Sequence, residues 1–101
     1  MPWNDWKETY ELIEDRGDND YEWRCVGVFR RKSDDKLFWA TDNGCSCNSP
    51  WDHDPDFQPF EWKSLVAFFN AVMDMSEERT RPENHAWATR MATLIRIPWV
   101  I

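Results

Sequence analysis

Over residues 21–30 the chain alternates without a break, with Tyr21, Trp23, Cys25, Gly27 and Phe29 on one side and Glu22, Arg24, Val26, Val28 and Arg30 on the other. Successive side chains of a β-strand leave opposite faces, so a period of two predicts a strand. The face carrying Trp23, Cys25 and Phe29 reads as core, and Cys25 as a small buried hydrophobe. A weaker alternation begins at Tyr10, with Tyr10 and Leu12 on one side and Glu11 and Ile13 on the other, and runs into a turn at residues 16–20. A second turn, Ser33-Asp34-Asp35-Lys36, leads into a third strand over residues 36–41. Strands joined by turns this short predict an antiparallel meander.

Beyond residue 60 the period changes. Trp62, Leu65, Val66, Phe69, Val72 and Met73 form a helical stripe over residues 60–75, which Phe68 and Met75 widen beyond one face. Such a helix is covered on two sides or used at an interface. Thr80-Arg81-Pro82-Glu83 has the form of a capping box with Pro in the first turn, so a second helix is expected over residues 81–97. Its apolar members are Trp87, Met91, Leu94 and Ile95; Pro98 stops it, and Trp99-Val100-Ile101 is an apolar tail. A chain of 101 residues supports one core. The expectation is a single α+β domain, a three-stranded antiparallel meander packed against two C-terminal helices in two layers.

Charge narrows the partners. The chain has 19 acidic and 12 basic residues, a net charge of −7. Residues 1–61 carry −8 and residues 62–101 carry +1, so the acidity belongs to the strands and the segment that follows them. Direct nucleic-acid binding requires a basic face. The one basic cluster, Arg30-Arg31-Lys32, is followed at once by Asp34-Asp35. A basic protein partner, or mimicry of DNA by the N-terminal carboxylates, suits the sign better. No apolar run reaches the length of a membrane span, and no basic-then-apolar leader opens the sequence, so a cytoplasmic protein without a membrane partner is expected.

Residues 42–60 carry three prolines, a glycine and no sustained period, which predicts a long loop of the kind that often carries function. Its sharpest feature is Cys45-Ser46-Cys47. With His53, and with Cys25, His85 or Asp52 completing the set, the two thiolates suggest a zinc site. The spacing departs from the usual paired-cysteine signatures, which place two residues between the ligands. A thiol nucleophile at Cys45 or Cys47 would need His53 or His85 as its base, and no local signature accompanies it. Asp52, Asp54 and Asp56 alternate like calcium ligands, but Phe57 and Lys63 stand where that pattern needs Gly and Glu. The plainer reading is a rigid polar loop, turned at Asn43-Gly44 and packed beside Trp51, with no metal and no cofactor.

The run Phe38-Trp39-Ala40-Thr41-Asp42-Asn43-Gly44-Cys45-Ser46-Cys47-Asn48-Ser49-Pro50-Trp51, following an alternating strand, resembles a family of small uncharacterised proteins encoded by actinobacterial phages. That family is similar in placing an Asp-x-Gly-Cys-Ser-Cys-x-x-Pro-aromatic loop after a short strand, and the likeness covers roughly residues 10–62. The resemblance implies a phage-encoded accessory protein made in the host cytoplasm. The acidic run Asp52-His53-Asp54-Pro55-Asp56 departs from it.

Of eight tryptophans, Trp23, Trp39, Trp62 and Trp87 sit at strand or helix positions that suit a core. Trp3, Trp6, Trp51 and Trp99 lie in termini or the loop, where nothing in the pattern buries them. Tryptophan is enriched at binding hot spots. The expected function is therefore non-enzymatic, the binding of a host protein or self-association through exposed tryptophans and a loop surface of Asp42, Gly44, Cys45, Cys47, Asn48 and Trp51. A zinc- or thiol-dependent activity of Cys45, Cys47 and His53 and an acidic DNA mimic are the alternatives.

Overall fold

The computed structural model describes residues 5–18, 22–45 and 49–95, with the side chains of Asp18, Glu22 and Cys45 left aside. A short helix α1 (Trp6–Thr9) leads into β1 (Tyr10–Asp18), β2 (Glu22–Arg31) and β3 (Leu37–Cys45). An irregular segment then returns to a two-residue strand β4 (Gln58–Pro59). A 3₁₀ turn (Trp62–Ser64) opens α2 (Leu65–Met75), and α3 (Arg81–Ala92) follows. The class is α+β, and the sheet is antiparallel in the order β1-β2-β3-β4.

The meander is as expected, with two differences. The sheet gains a fourth strand, and β3 runs on to Cys45 through residues expected to be loop. Asp42, Asn43 and Gly44 are poor strand formers, but pairing with Cys25, Arg24 and Trp23 of β2 satisfies their backbone and overrides that preference. The β2–β3 turn is closed by Asp35 N–H donating to Arg31 O at 2.8 Å, with Asp35 at a φ of 61°. Asp34 accepts from Arg31 Nε and Nη2 at 3.0 and 2.6 Å, and that guanidinium holds its carboxyl down to about 2.

β1 contains a bulge. Leu12 pairs with Phe29 and Glu14 with Val28, leaving Ile13 as the extra residue. A bulge moves every later side chain to the other face. Tyr10 and Leu12 therefore join one cluster, Ile13 packs against the other, and Glu14 and Arg16 point to the helices while Asp15 points away from them.

Each face of the sheet is covered. Val26, Val28 and Trp39 pack beneath α2 and α3 with Phe60, Phe68, Val72, Met75, Trp87 and Met91. The opposite face carries a second cluster, Trp6, Trp23, Cys25, Phe29, Ala40 and Trp51, with Tyr10, Leu12, Phe38 and Phe57 at its margin. The expected pair of layers thus gains a third cover of irregular chain. The reason is in β2, where Val26 and Val28 are as fully buried as Phe29 on the other side.

The helices differ in detail from expectation. α3 starts at Arg81 as predicted, but Thr80 makes no side-chain cap, its hydroxyl donating instead to Glu77 O at 3.1 Å. Regular helix ends at Ala92, short of the expected residue 97, and the rest of that span lies in a turn to Ile95 and beyond the described residues. Trp62, expected in the core, is 40% exposed. A buried polar chain joins the helices to β1: Arg16 Nε donates to Asn84 Oδ1 at 3.1 Å, Asn84 Nδ2 to Ser76 Oγ at 2.7 Å, and Ser76 Oγ to Val72 O at 2.6 Å. Every buried member has a partner, which avoids the penalty of an unsatisfied group.

Phe68 is fully buried and meets Trp39, Phe60 and Trp87. Phe68→Ala is expected to cost about 3–5 kcal/mol in urea unfolding. Val66, on the same helix and 74% exposed, should cost less than about 0.5 kcal/mol as Val66→Ala. Equal losses would show that α2 docks on a different face.

Candidate functional site

The site begins with small residues in the sheet. Gly27 of β2 pairs with Ala40 of β3 and Asp15 of β1, leaving a shallow pit in the face opposite the helices. The ring of Trp51 sits in that pit. A Cβ built on Gly27 would lie 2.7 Å from Trp51 Cζ2, so the strand has glycine here because an indole rests on its backbone. Phe29 meets the same ring edge-on, with centroids 5.0 Å apart.

Trp51 is held at every polar atom. Its backbone N–H donates to Asp42 Oδ2 at 2.8 Å, its indole N–H to Asp15 Oδ2 at 2.8 Å, and its carbonyl accepts the Trp6 indole N–H at 3.1 Å. Its φ of 66° lies in the left-handed region, where a bulky residue costs about 1–3 kcal/mol and persists only when its surroundings over-determine it. The three hydrogen bonds and the pit supply that determination.

Around this anchor the segment 49–57 is fastened at several points. Ser49 N–H donates to Asp52 Oδ2 at 3.0 Å, and Trp6 N–H to Asp54 Oδ1 at 3.2 Å. Phe57 stacks on Tyr10 at 3.8 Å and meets Phe29 edge-on at 5.0 Å. Asp52, His53, Asp54 and Asp56 remain exposed on the outside of a segment whose inside is committed to packing. This is a pre-ordered acidic rim.

The expected site residues separate accordingly. Asp42 and Trp51 are brought together, Asp42 also accepting the Asn43 N–H at 2.9 Å. Gly44 lies in β3 opposite Trp23, and Cys45 ends that strand opposite Glu22. The Cys45 side chain, Cys47 and Asn48 lie outside the described residues, as do Trp3 and Trp99. Two expectations are corrected: Trp51 is 5% and Trp6 is 6% exposed, so neither is the exposed tryptophan expected, because the sheet's second face supplies the burial that the loop's own pattern does not show. Among the described residues no group of three or more His, Cys, Asp or Glu is placed to hold a metal ion.

Asp15, Gly27 and Phe57 belong to the site without having been expected there. Gly27 carried a signal, since an isolated glycine within a strand marks a close approach. Asp15 carried none, because its direction depends on the bulge at Ile13.

Cys25 lies beneath the anchor, 6% exposed. Burial, followed by repulsion from Asp42 and Asp15, pushes its thiol up to about 12. It is therefore a neutral packing group and not a nucleophile. In the unfolded chain the thiol ionises from about pH 8.5, whereas the folded chain keeps the proton to about 12. Its contribution to stability is thus complete below about pH 8.5 and is lost as pH rises toward the folded value, at up to about 1.4 kcal/mol per pH unit. Urea unfolding at increasing alkaline pH should show wild type declining more steeply than Cys25→Ala; parallel curves would contradict the assignment.

A second prediction concerns the pit. Trp51→Ala should cost about 3–5 kcal/mol, as a core tryptophan does, although it lies in a loop. Gly27→Ala should cost about 1–3 kcal/mol in the native background and much less in Trp51→Ala, where the obstructing ring is gone. Additive costs in that cycle would separate the two residues.

No curated protein and no solved structure matches the chain. A family model matches residues 9–86, which takes in the sheet, the anchored segment, α2 and the first half of α3. The chain belongs to that family, the domain of unknown function DUF7574.

Proposed function

We propose that this chain is a non-enzymatic accessory domain, phage-encoded and made in the host cytoplasm, that presents the acidic rim of residues 52–56 to a basic protein partner. The observation that carries this reading is the anchoring of Trp51. A loop held by three hydrogen bonds and a buried indole has little conformational freedom left to lose on association, which favours binding. Recognition then falls to Asp52, Asp54 and Asp56, all exposed, and Trp51 acts by holding them in place. Carboxylates in such a rim raise the rate of encounter with a basic surface and make it salt-sensitive.

DNA mimicry is the weaker reading. Glu11 and Asp35 pair with Arg30, Asp34 with Arg31, Glu14 with Arg90 and Glu83 with Arg16, so much of the acidity answers the chain's own arginines. Asp15 and Asp42 are engaged by Trp51.

Affinity capture from host lysate with the wild-type chain and with the double variant Asp52→Asn, Asp56→Asn tests the proposal. The expected result is a basic protein retained by wild type, released by about 0.5 M salt and lost with the variant. Recovery of the same proteins by both baits would overturn it.

A further inference from the structure

We propose that the cavity between Trp6, Tyr10 and Trp51, beside the free edge of β1, binds a small aromatic oxyanion: one flat ring system carrying a carboxylate or a phosphate. The site is separate from the rim and independent of its partner. Its volume of about 360 Å³ lies at the lower end of small-molecule sites, enough for a single or fused ring.

The wall is preformed and apolar. The Trp6 and Trp51 indole N–H groups are spent on Trp51 O and Asp15 Oδ2, and Tyr10 is fixed by its stack on Phe57. Trp6 and Trp51, 6% and 5% exposed, therefore offer a ligand ring edges and no indole donor, and Tyr10, Leu12 and Pro50 supply the rest of the apolar wall. A polar substituent has to be met elsewhere on the lining.

That place is the pair Lys7 and Lys32. Lys32 Nζ donates to the Lys7 carbonyl at 2.7 Å, and Lys7 Nζ stands 5.6 Å from the centre of the Trp6 ring, which brings both stems to the aromatic wall. Arg16, Arg30, Arg31, Arg79 and Arg90 each reach a carboxylate of the chain within 4 Å. Among the described residues neither Lys7 nor Lys32 does, nor do Arg24, Lys36, Lys63 and Arg81, but of these six it is Lys7 and Lys32 that line the cavity. The cavity's own carboxylate, Glu11, is engaged by Arg30 at 2.7 Å. Two ammonium groups with no carboxylate of the described residues within 4 Å, beside an apolar wall in a chain of net charge −7, form an arrangement that a bound anion relieves. A ring alone leaves the lysines unanswered, and an anion alone leaves the wall unused.

NMR titration of the full chain separates these elements. Indole-3-acetate and phenyl phosphate serve as anionic rings, indole as the neutral ring, and acetate and inorganic phosphate as anions without a ring. The expected result is a saturable shift of the Trp6 and Trp51 indole signals with at least one anionic ring, the tighter of the two identifying carboxylate or phosphate. Indole should bind at least about fivefold more weakly, and the ringless anions should not saturate. Lys7→Gln combined with Lys32→Gln alters exposed side chains, so its thermal midpoint should be unchanged while affinity for the anionic ring falls to that of indole. The proposal is overturned by equal affinity for indole and indole-3-acetate, by undiminished binding in the lysine variant, by shifts confined to other residues, or by no saturable shift with either anionic ring.

Discussion

The seating of the Trp51 indole on the backbone of Gly27 is the contact on which one whole side of this protein depends. Remove the ring and the Asp15 carboxylate loses its indole donor, while the Trp51 backbone N–H and carbonyl, which bond Asp42 and the Trp6 indole, lose the seat that holds them in place. The left-handed backbone at Trp51 is tolerable only while these partners are present together. Their agreement turns an irregular segment into a fixed cover for a sheet face.

That cover answers a constraint of size. A short chain has little interior, yet this one carries sixteen aromatic residues, too many for one helix–sheet interface. Using both faces of the sheet doubles the area available. Phe68 and Trp87 centre one core and Phe29 the other, with β2 shared between them. The bulge at Ile13 serves both, sending Glu14 and Arg16 to α3 and Asp15 to Trp51. The functional proposals inherit this division, because the acidic rim and the lysine-edged cavity both lie on the side opposite α2 and α3.

Much of the fold was legible in the chain's periodicity. β2 read clearly because ten residues alternate, α2 because its apolar residues recur at helical spacing, and the start of α3 because Pro82 marks a first turn. β4 was not legible, since two residues including a proline have no period of their own and pair only along the edge at Phe38 and Trp39. Nor was the end of β3, where Asp42, Asn43 and Gly44 look like turn and are strand because β2 lies opposite. At the site, Asp42 and Trp51 were expected on a loop surface, whereas Trp51 is buried and its backbone N–H is held by Asp42. The Cys-Ser-Cys sequence drew attention by its rarity, whereas the residues that position the segment, Gly27 and Asp15, are of ordinary type.

By itself the sequence determined the strands of the meander, the two helices, the excess of acid before residue 62 and an aromatic load that had to be buried. These follow from repeat distances and composition, which are local properties. Tertiary structure alone decided which tryptophans are interior, which way Asp15 points and that Cys25 stays protonated. Each of those depends on residues far apart in the chain, such as Trp51 with Asp15 at a separation of 36 and with Trp6 at 45, and no local period encodes a contact of that range. A tryptophan in a loop is a surface residue until a sheet face with a glycine at its centre is brought beneath it.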